Sequence, residues 1–138
     1  MSALPCMTPT AQGSISIEDF ERGDVDAEQF DHEAHVFVAW SYLQKYELKE
    51  SIARFCAALR SLTIKLGVEG KYHETITWFF MILIAERKAG TKDWHTFKRR
   101  NADLFTNPSI LRAYYSKERL SSSIARTQFV MPDLLPLP

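Results

Sequence analysis

Apolar residues recur along this chain at intervals of three and four, the spacing of one helix face, from about residue 27 onward. Phe30, Val36, Phe37, Ala39, Trp40 and Leu43 mark a first helix, opened by a capping box of Asp26 with Gln29 and running to about Tyr46. A second covers about Leu48 to Leu66, with Ile52, Phe55, Cys56, Leu59 and Leu62 on one stripe and Gly67 placed to stop it. The third, from Lys71 to about Ala89, is apolar on every side from Trp78 to Ala85, which predicts the most buried helix of the fold. Asp93 then caps a helix to about Arg100, and Ser109 and Ser116 start short ones that reach Tyr115 and Arg126. No segment alternates with the period of a strand.

The flanks read differently. Residues 1–26 hold two prolines, a Gly-Ser pair and a run of acids without sustained period, which predicts a flexible N-terminal arm, disordered or draped on the domain. At the other end Phe129, Val130, Met131, Leu134, Leu135 and Leu137 are too apolar for water, while Pro132, Pro136 and Pro138 forbid a helix. They predict an extended tail over 127–138, buried against the helices. The expected fold is all-α: a single-domain up-down helical bundle over 27–126, with four main helices and short C-terminal ones.

Composition narrows the class without changing it. The chain has 138 residues, 46% of them hydrophobic and 25% charged, with nine Phe, five Tyr and three Trp. That is enough for one ordinary core. Two cysteines, Cys6 and Cys56, are too few for a disulfide framework and suggest a reducing compartment. The start lacks a basic region followed by an apolar stretch, and no apolar run approaches a membrane span, so a cytoplasmic protein with no membrane partner is expected. The formal net charge is zero but uneven: residues 1–47 carry nine acids and two bases, whereas 86–126 carry ten bases and four acids. Lys98, Arg99 and Arg100 point away from Trp94 and Phe97, so no basic stripe with stacking platforms forms and no nucleic-acid partner is expected.

Candidate chemistry gathers at two helix starts. His32 and His35, three apart on a helix, face a common point, and His73 opens the third helix inside Tyr72-His73-Glu74-Thr75-Ile76-Thr77. In an up-down bundle the first and third helices run the same way, bringing both clusters to one end. Three imidazoles there would suit one divalent transition metal, Zn, Fe or Cu, with a position left open for catalysis. Against this, helix N-termini carry partial positive charge, and the spacing matches no standard metal motif. Capping or core histidines, and acid–base work without metal, stay open beside the metal reading. Glu74 with Tyr72 forms a candidate catalytic pair next to His73. Thr75 and Thr77 are read as packing or bonding back to the backbone. Arg112, Tyr115 and Arg126 are candidate substrate-binding groups, since an Arg fork grips carboxylate or phosphate, and they imply an anionic small molecule. Pairing of these arginines with the acidic first third is the structural alternative, and for Arg126 a structural anchor.

From Phe30 onward the order of motifs resembles a family of small, uncharacterised, mostly bacterial all-helical proteins. The residues concerned are Phe30, His32 and His35 leading into Val38 to Leu43; Gly70 to Thr77; Tyr114-Tyr115-Ser116 with Leu120; and Ala125-Arg126 before Phe129-Val130 and Pro132-Asp133. The resemblance implies that these elements belong to one shared pattern, and it carries no activity. The expected function is a small-molecule enzyme with a histidine-rich, metal-binding pocket. The alternative is a non-catalytic binding or assembly module that docks on a partner through its apolar tail and keeps its histidines for structure; on either reading the chain folds alone or as a small homo-oligomer.

Overall fold

A computed structural model describes residues 15–138; Cys6 and the first part of the expected arm lie outside them. The described residues are all-α, without a strand. None of their helices is long and apolar enough to cross a membrane. By its internal packing the chain divides into two compact units, one ending at Glu69 and the other beginning at Gly70, where the sequence reading expects a single domain.

In the first unit α1 (Ile17–Arg22), α2 (His32–Lys45) and α3 (Leu48–Lys65) pack on one another in all three pairings. The helix α1 lies within the expected N-terminal arm, where no helix is expected, and packs on α2 and α3. Ser16 caps it by accepting from the Asp19 N–H at 3.0 Å, and Phe20 is fully buried. Phe20 stacks on Phe55 with ring centroids 5.3 Å apart and meets Phe30 at 5.5 Å and Tyr42 edge-on at 6.1 Å. The short amphipathic pair Ile17 and Phe20 was too brief to register as a period, yet one large aromatic at the centre of three helices is enough to anchor a six-residue helix.

Gly23 ends α1 in the left-handed region, φ 75°, and its carbonyl accepts from Lys65 Nζ at 3.0 Å. A Cβ at Gly23 would stand 3.0 Å from Lys65 Cδ, a flexible side chain that can give way, so it is the backbone angle that selects glycine. The cap of α2 is Asp31, whose Oδ1 accepts from the Ala34 N–H at 2.9 Å, five residues later than the expected capping box. Asp26 instead organises a turn by accepting from the Glu28 N–H. Between α2 and α3, the fully buried Ser51 hydroxyl lies within hydrogen-bond distance of the Tyr42 and Tyr46 carbonyls, and the first of these also accepts from the Tyr46 N–H at 2.8 Å.

The second unit follows a 3₁₀ turn, Glu69–Lys71, and is built on α4 (Glu74–Arg87). From Thr75 to Ala85 no residue of α4 is exposed, as its all-round apolar sequence predicts. Shorter helices complete it: α5 (Trp94–Arg100), α6 (Asp103–Thr106), α7 (Ile110–Tyr114), α8 (Lys117–Ser121) and α9 (Ser123–Thr127). The expected single helix from Ser116 to Arg126 is two, broken at Ser122, which caps α9 by accepting from the Ala125 N–H. Phe79 of α4 meets Tyr114 at 4.9 Å and Tyr115 edge-on at 5.8 Å, and Arg87 pairs with Asp103 at 2.6 Å.

The tail is a correction to the sequence reading. Phe129 and Val130 are half-buried, but Met131, Leu134 and Leu135 stand 54%, 55% and 48% exposed, so the expectation that all of them are buried fails. The reason lies in what holds the segment. Beyond Val130 its attachments run through polar groups, which leaves Met131, Leu134 and Leu135 facing water.

Candidate functional site

The sequence-predicted site residues divide between the units. His32 and His35 lie on α2 in the first; Tyr72, His73, Glu74, Arg112, Tyr115 and Arg126 lie in the second. Among the described residues no three His, Cys, Asp or Glu side chains gather closely enough to hold a metal ion.

On α2, His32 is exposed at the first helical position. His35 is half-buried and stacks on Phe30, ring centroids 4.0 Å apart. Burial, with a smaller electrostatic contribution from neighbouring His32, pushes the His35 pKa down to about 4. The ring is therefore neutral in the folded protein at neutral pH. Unfolded, it titrates near 6.5, so between about pH 6.5 and 4 the unfolded chain binds a proton that the folded chain does not. The His35 contribution is fully present above that window and is lost as pH falls through it. We expect urea unfolding to show a loss of about 2 kcal/mol from this group between pH 7 and pH 4, after discounting for partial exposure. His35→Gln should flatten the dependence; an unchanged slope in that variant would remove His35 as its cause.

The second unit brings most of the remaining candidates together, around the tail. His73 is the N-cap of α4: Nδ1 accepts from the Ile76 N–H at 3.2 Å, so Nε2 carries the proton and donates to the Leu120 carbonyl at 2.7 Å. Both ring nitrogens are thus engaged within one unit, one starting α4 and the other tying it to the end of α8. Thr77 bonds back to the His73 carbonyl at 2.8 Å, as expected of it. Glu74 accepts from the Tyr72 hydroxyl and, at 3.0 Å, from Trp78 Nε1. The indole of Trp78 in turn stacks on Phe129 of the tail, centroids 4.9 Å apart and 20° from parallel.

Arg126 reaches back with one guanidinium nitrogen to the Gly70 carbonyl at 2.7 Å and the Tyr72 carbonyl at 3.1 Å, gripping the approach to α4 as a structural anchor does. Tyr115 is fully buried and donates to the Val130 carbonyl at 2.6 Å. Burial pushes its phenol up to about 12, against the pull of nearby Arg119, so it remains a donor across the physiological range. Arg112 is exposed on α7.

Further polar groups, none of them read from the sequence as ties to the tail, complete this arrangement. Thr75, fully buried, donates to the Gln128 carbonyl at 2.8 Å and accepts from the Val130 N–H at 3.1 Å, clipping the tail onto α4 from both sides of one peptide unit and the next. Arg119 Nε donates to the Met131 carbonyl. Asp133 accepts from the Ser116 N–H at 2.8 Å, and Ser116 holds its carboxyl below the usual carboxylate range. The Leu134 N–H donates to the Tyr114 carbonyl at 2.9 Å. A threonine in the first turn of α4, ahead of its apolar run, and an aspartate between tail prolines are the available signals, since each is a polar group whose partner must come from elsewhere in the chain.

The geometry is that of a clasp. Tyr72, His73, Thr75, Tyr115, Arg119 and Arg126 form a set of polar ties that fix the order α8, α9 and tail against the start of α4. Neither a protein-family model, nor a curated protein, nor a solved structure is significantly similar to this chain.

Proposed function

We propose that the chain is a non-catalytic binding module whose working part is the exposed apolar edge of the tail. The observation that carries this reading is the double engagement of His73. Its two nitrogens serve the backbone of α4 and α8, which accounts for the histidine without a metal. Tyr115 and Arg126, read from sequence as substrate groups, also have backbone partners. Among the large apolar side chains turned to water, Met131, Leu134 and Leu135 lie together on one segment, which is anchored by its polar groups. A segment ordered before it meets a partner does not lose that entropy on binding.

The test compares metal content with capping. Purified protein should carry no near-stoichiometric Zn, Fe or Cu. His73→Asn, which can still accept from the Ile76 N–H, should be more stable than His73→Ala by about 1 kcal/mol in urea unfolding. Near-stoichiometric metal that is lost on replacing His32, His35 or His73 would overturn the module reading and return the metal-dependent enzyme acting on a small anionic molecule.

A further inference from the structure

The groove of the second unit that holds the tail reads main chain. Thr75 Oγ1 donates to the Gln128 carbonyl at 2.8 Å and accepts from the Val130 N–H at 3.1 Å, and Tyr115 donates to the Val130 carbonyl at 2.6 Å. Residues two apart therefore turn their polar groups to one edge, as an extended chain does. Arg119 Nε donates to the Met131 carbonyl, and the Leu134 N–H donates to the Tyr114 carbonyl at 2.9 Å. These five bonds use groups that any peptide carries. Two further contacts read side chains: Trp78 stacks on Phe129 with centroids 4.9 Å apart, and the Ser116 N–H donates to the Asp133 carboxylate at 2.8 Å. Main-chain bonds of this kind give a groove its grip, and the side-chain contacts give it selectivity.

The helices set this lining. Thr75 and Tyr115 are both fully buried, Thr75 in the first turn of α4 and Tyr115 edge-on to Phe79 of the same helix. On the tail side Met131, Leu134 and Leu135 stay exposed, so the grip rests on the main chain with Phe129, Val130 and Asp133. None of the five bonds needs a covalent link through Thr127. We infer that the groove is a peptide-binding site, filled in the free chain by its own tail and open to an extended peptide of a partner protein. The ligand carries an aromatic residue and, four positions later, an aspartate, as Phe129 and Asp133 do. A proline ahead of the aspartate fits, because it stiffens the extended chain and the five bonds do not use that amide. The tail of a second copy would make the same bonds as the attached tail and add the cost of association, whereas a partner peptide can add contacts of its own. The inference rests on the binding-module reading and gives it a switch: a peptide that takes the groove releases the tail with its apolar residues.

Fluorescence anisotropy of a labelled peptide with the sequence of residues 128–138 tests this on the full chain. Against the wild type the peptide must displace the attached tail. Against a full-length variant with Phe129→Ala and Asp133→Ala, whose tail grips less while its groove is intact, it should bind at least about tenfold more tightly. Phe129→Ala or Asp133→Ala in the peptide, or Thr75→Val in the groove, should each weaken that binding at least about tenfold. A second measurement needs no variant to fold. Excess peptide should speed hydrogen exchange at the Val130 amide of the wild-type chain, which Thr75 holds, and a peptide of reversed sequence should not. A peptide that binds neither chain, or binds both equally, overturns the proposal, as does Val130 exchange that rises as much with the reversed peptide. A stable dimer with exchanged tails overturns it too, by giving the groove to a second copy. Those failures are separate from failure of the module reading, which the metal content and the His73 substitutions decide.

Discussion

A chain ending at Thr127 unfolds at lower urea concentration than the full chain, with a loss of about 3 to 5 kcal/mol from the second unit. The expected size follows from what the tail satisfies. Without Gln128 and Val130, the Thr75 hydroxyl loses both of its partners, and Tyr115 loses the acceptor of a fully buried phenol. An orphaned buried polar group costs about 1 to 3 kcal/mol. Removal of Phe129 also uncovers the Trp78 face on which it stacks. Water entering the vacated strip relieves part of this, which keeps the estimate below the sum of its parts. Thr75→Val and Tyr115→Phe dissect the effect, because each removes one tie while leaving the shape of the core nearly intact, and each should cost a fraction of the truncation. A truncated chain that melts with the full-length one would mean that the tail is not held by these ties at all.

The contrast between tail and helices explains how much of the molecule could be read from its sequence. The helices α3 and α5 were legible almost to the residue, because a sustained stripe and a capping or stopping residue agree in each: Gly67 at φ 72° behind α3, and Asp93 accepting from the Thr96 N–H ahead of α5. The start of α2 was misplaced by five residues because Asp26 and Asp31 are equally good caps locally, and the choice is made by Phe30 packing on Phe20 and His35. The clustering of Tyr72, His73, Tyr115 and Arg126 was visible as composition and order. Its meaning was not, because a histidine that caps a helix and one that binds a ligand present the same letter, and only the partners of its two nitrogens separate them. Tail exposure was misjudged for a related reason. Hydrophobicity measures what burial would contribute, whereas the position of the tail is set by Thr75, Tyr115, Ser116 and Arg119 gripping its polar groups.

The first unit offers the sharpest quantitative test of how firmly the N-terminal segment is held. Phe20→Ala should destabilise it by about 3 to 5 kcal/mol, the range for deleting a fully buried phenylalanine ring. The ring lies at the meeting point of three elements: it stacks on Phe55 of α3, meets Tyr42 of α2 edge-on and touches Phe30 ahead of α2. Around it the Tyr42 hydroxyl donates to Glu21 at 2.8 Å, and Lys65 reaches the Gly23 carbonyl, so loss of the ring also loosens two polar ties that position α1. The void is not easily closed, because α1 has only Ile17 besides Phe20 among its buried residues and cannot slide a replacement into the gap. Phe20→Leu, which refills most of the volume, should recover a large part of the loss. Denaturation followed by far-ultraviolet circular dichroism reads both variants. If Phe20→Ala unfolds with the wild-type chain, α1 is not part of the first unit's core, and residues 15–26 revert to the flexible arm that their acidic, aperiodic sequence suggests.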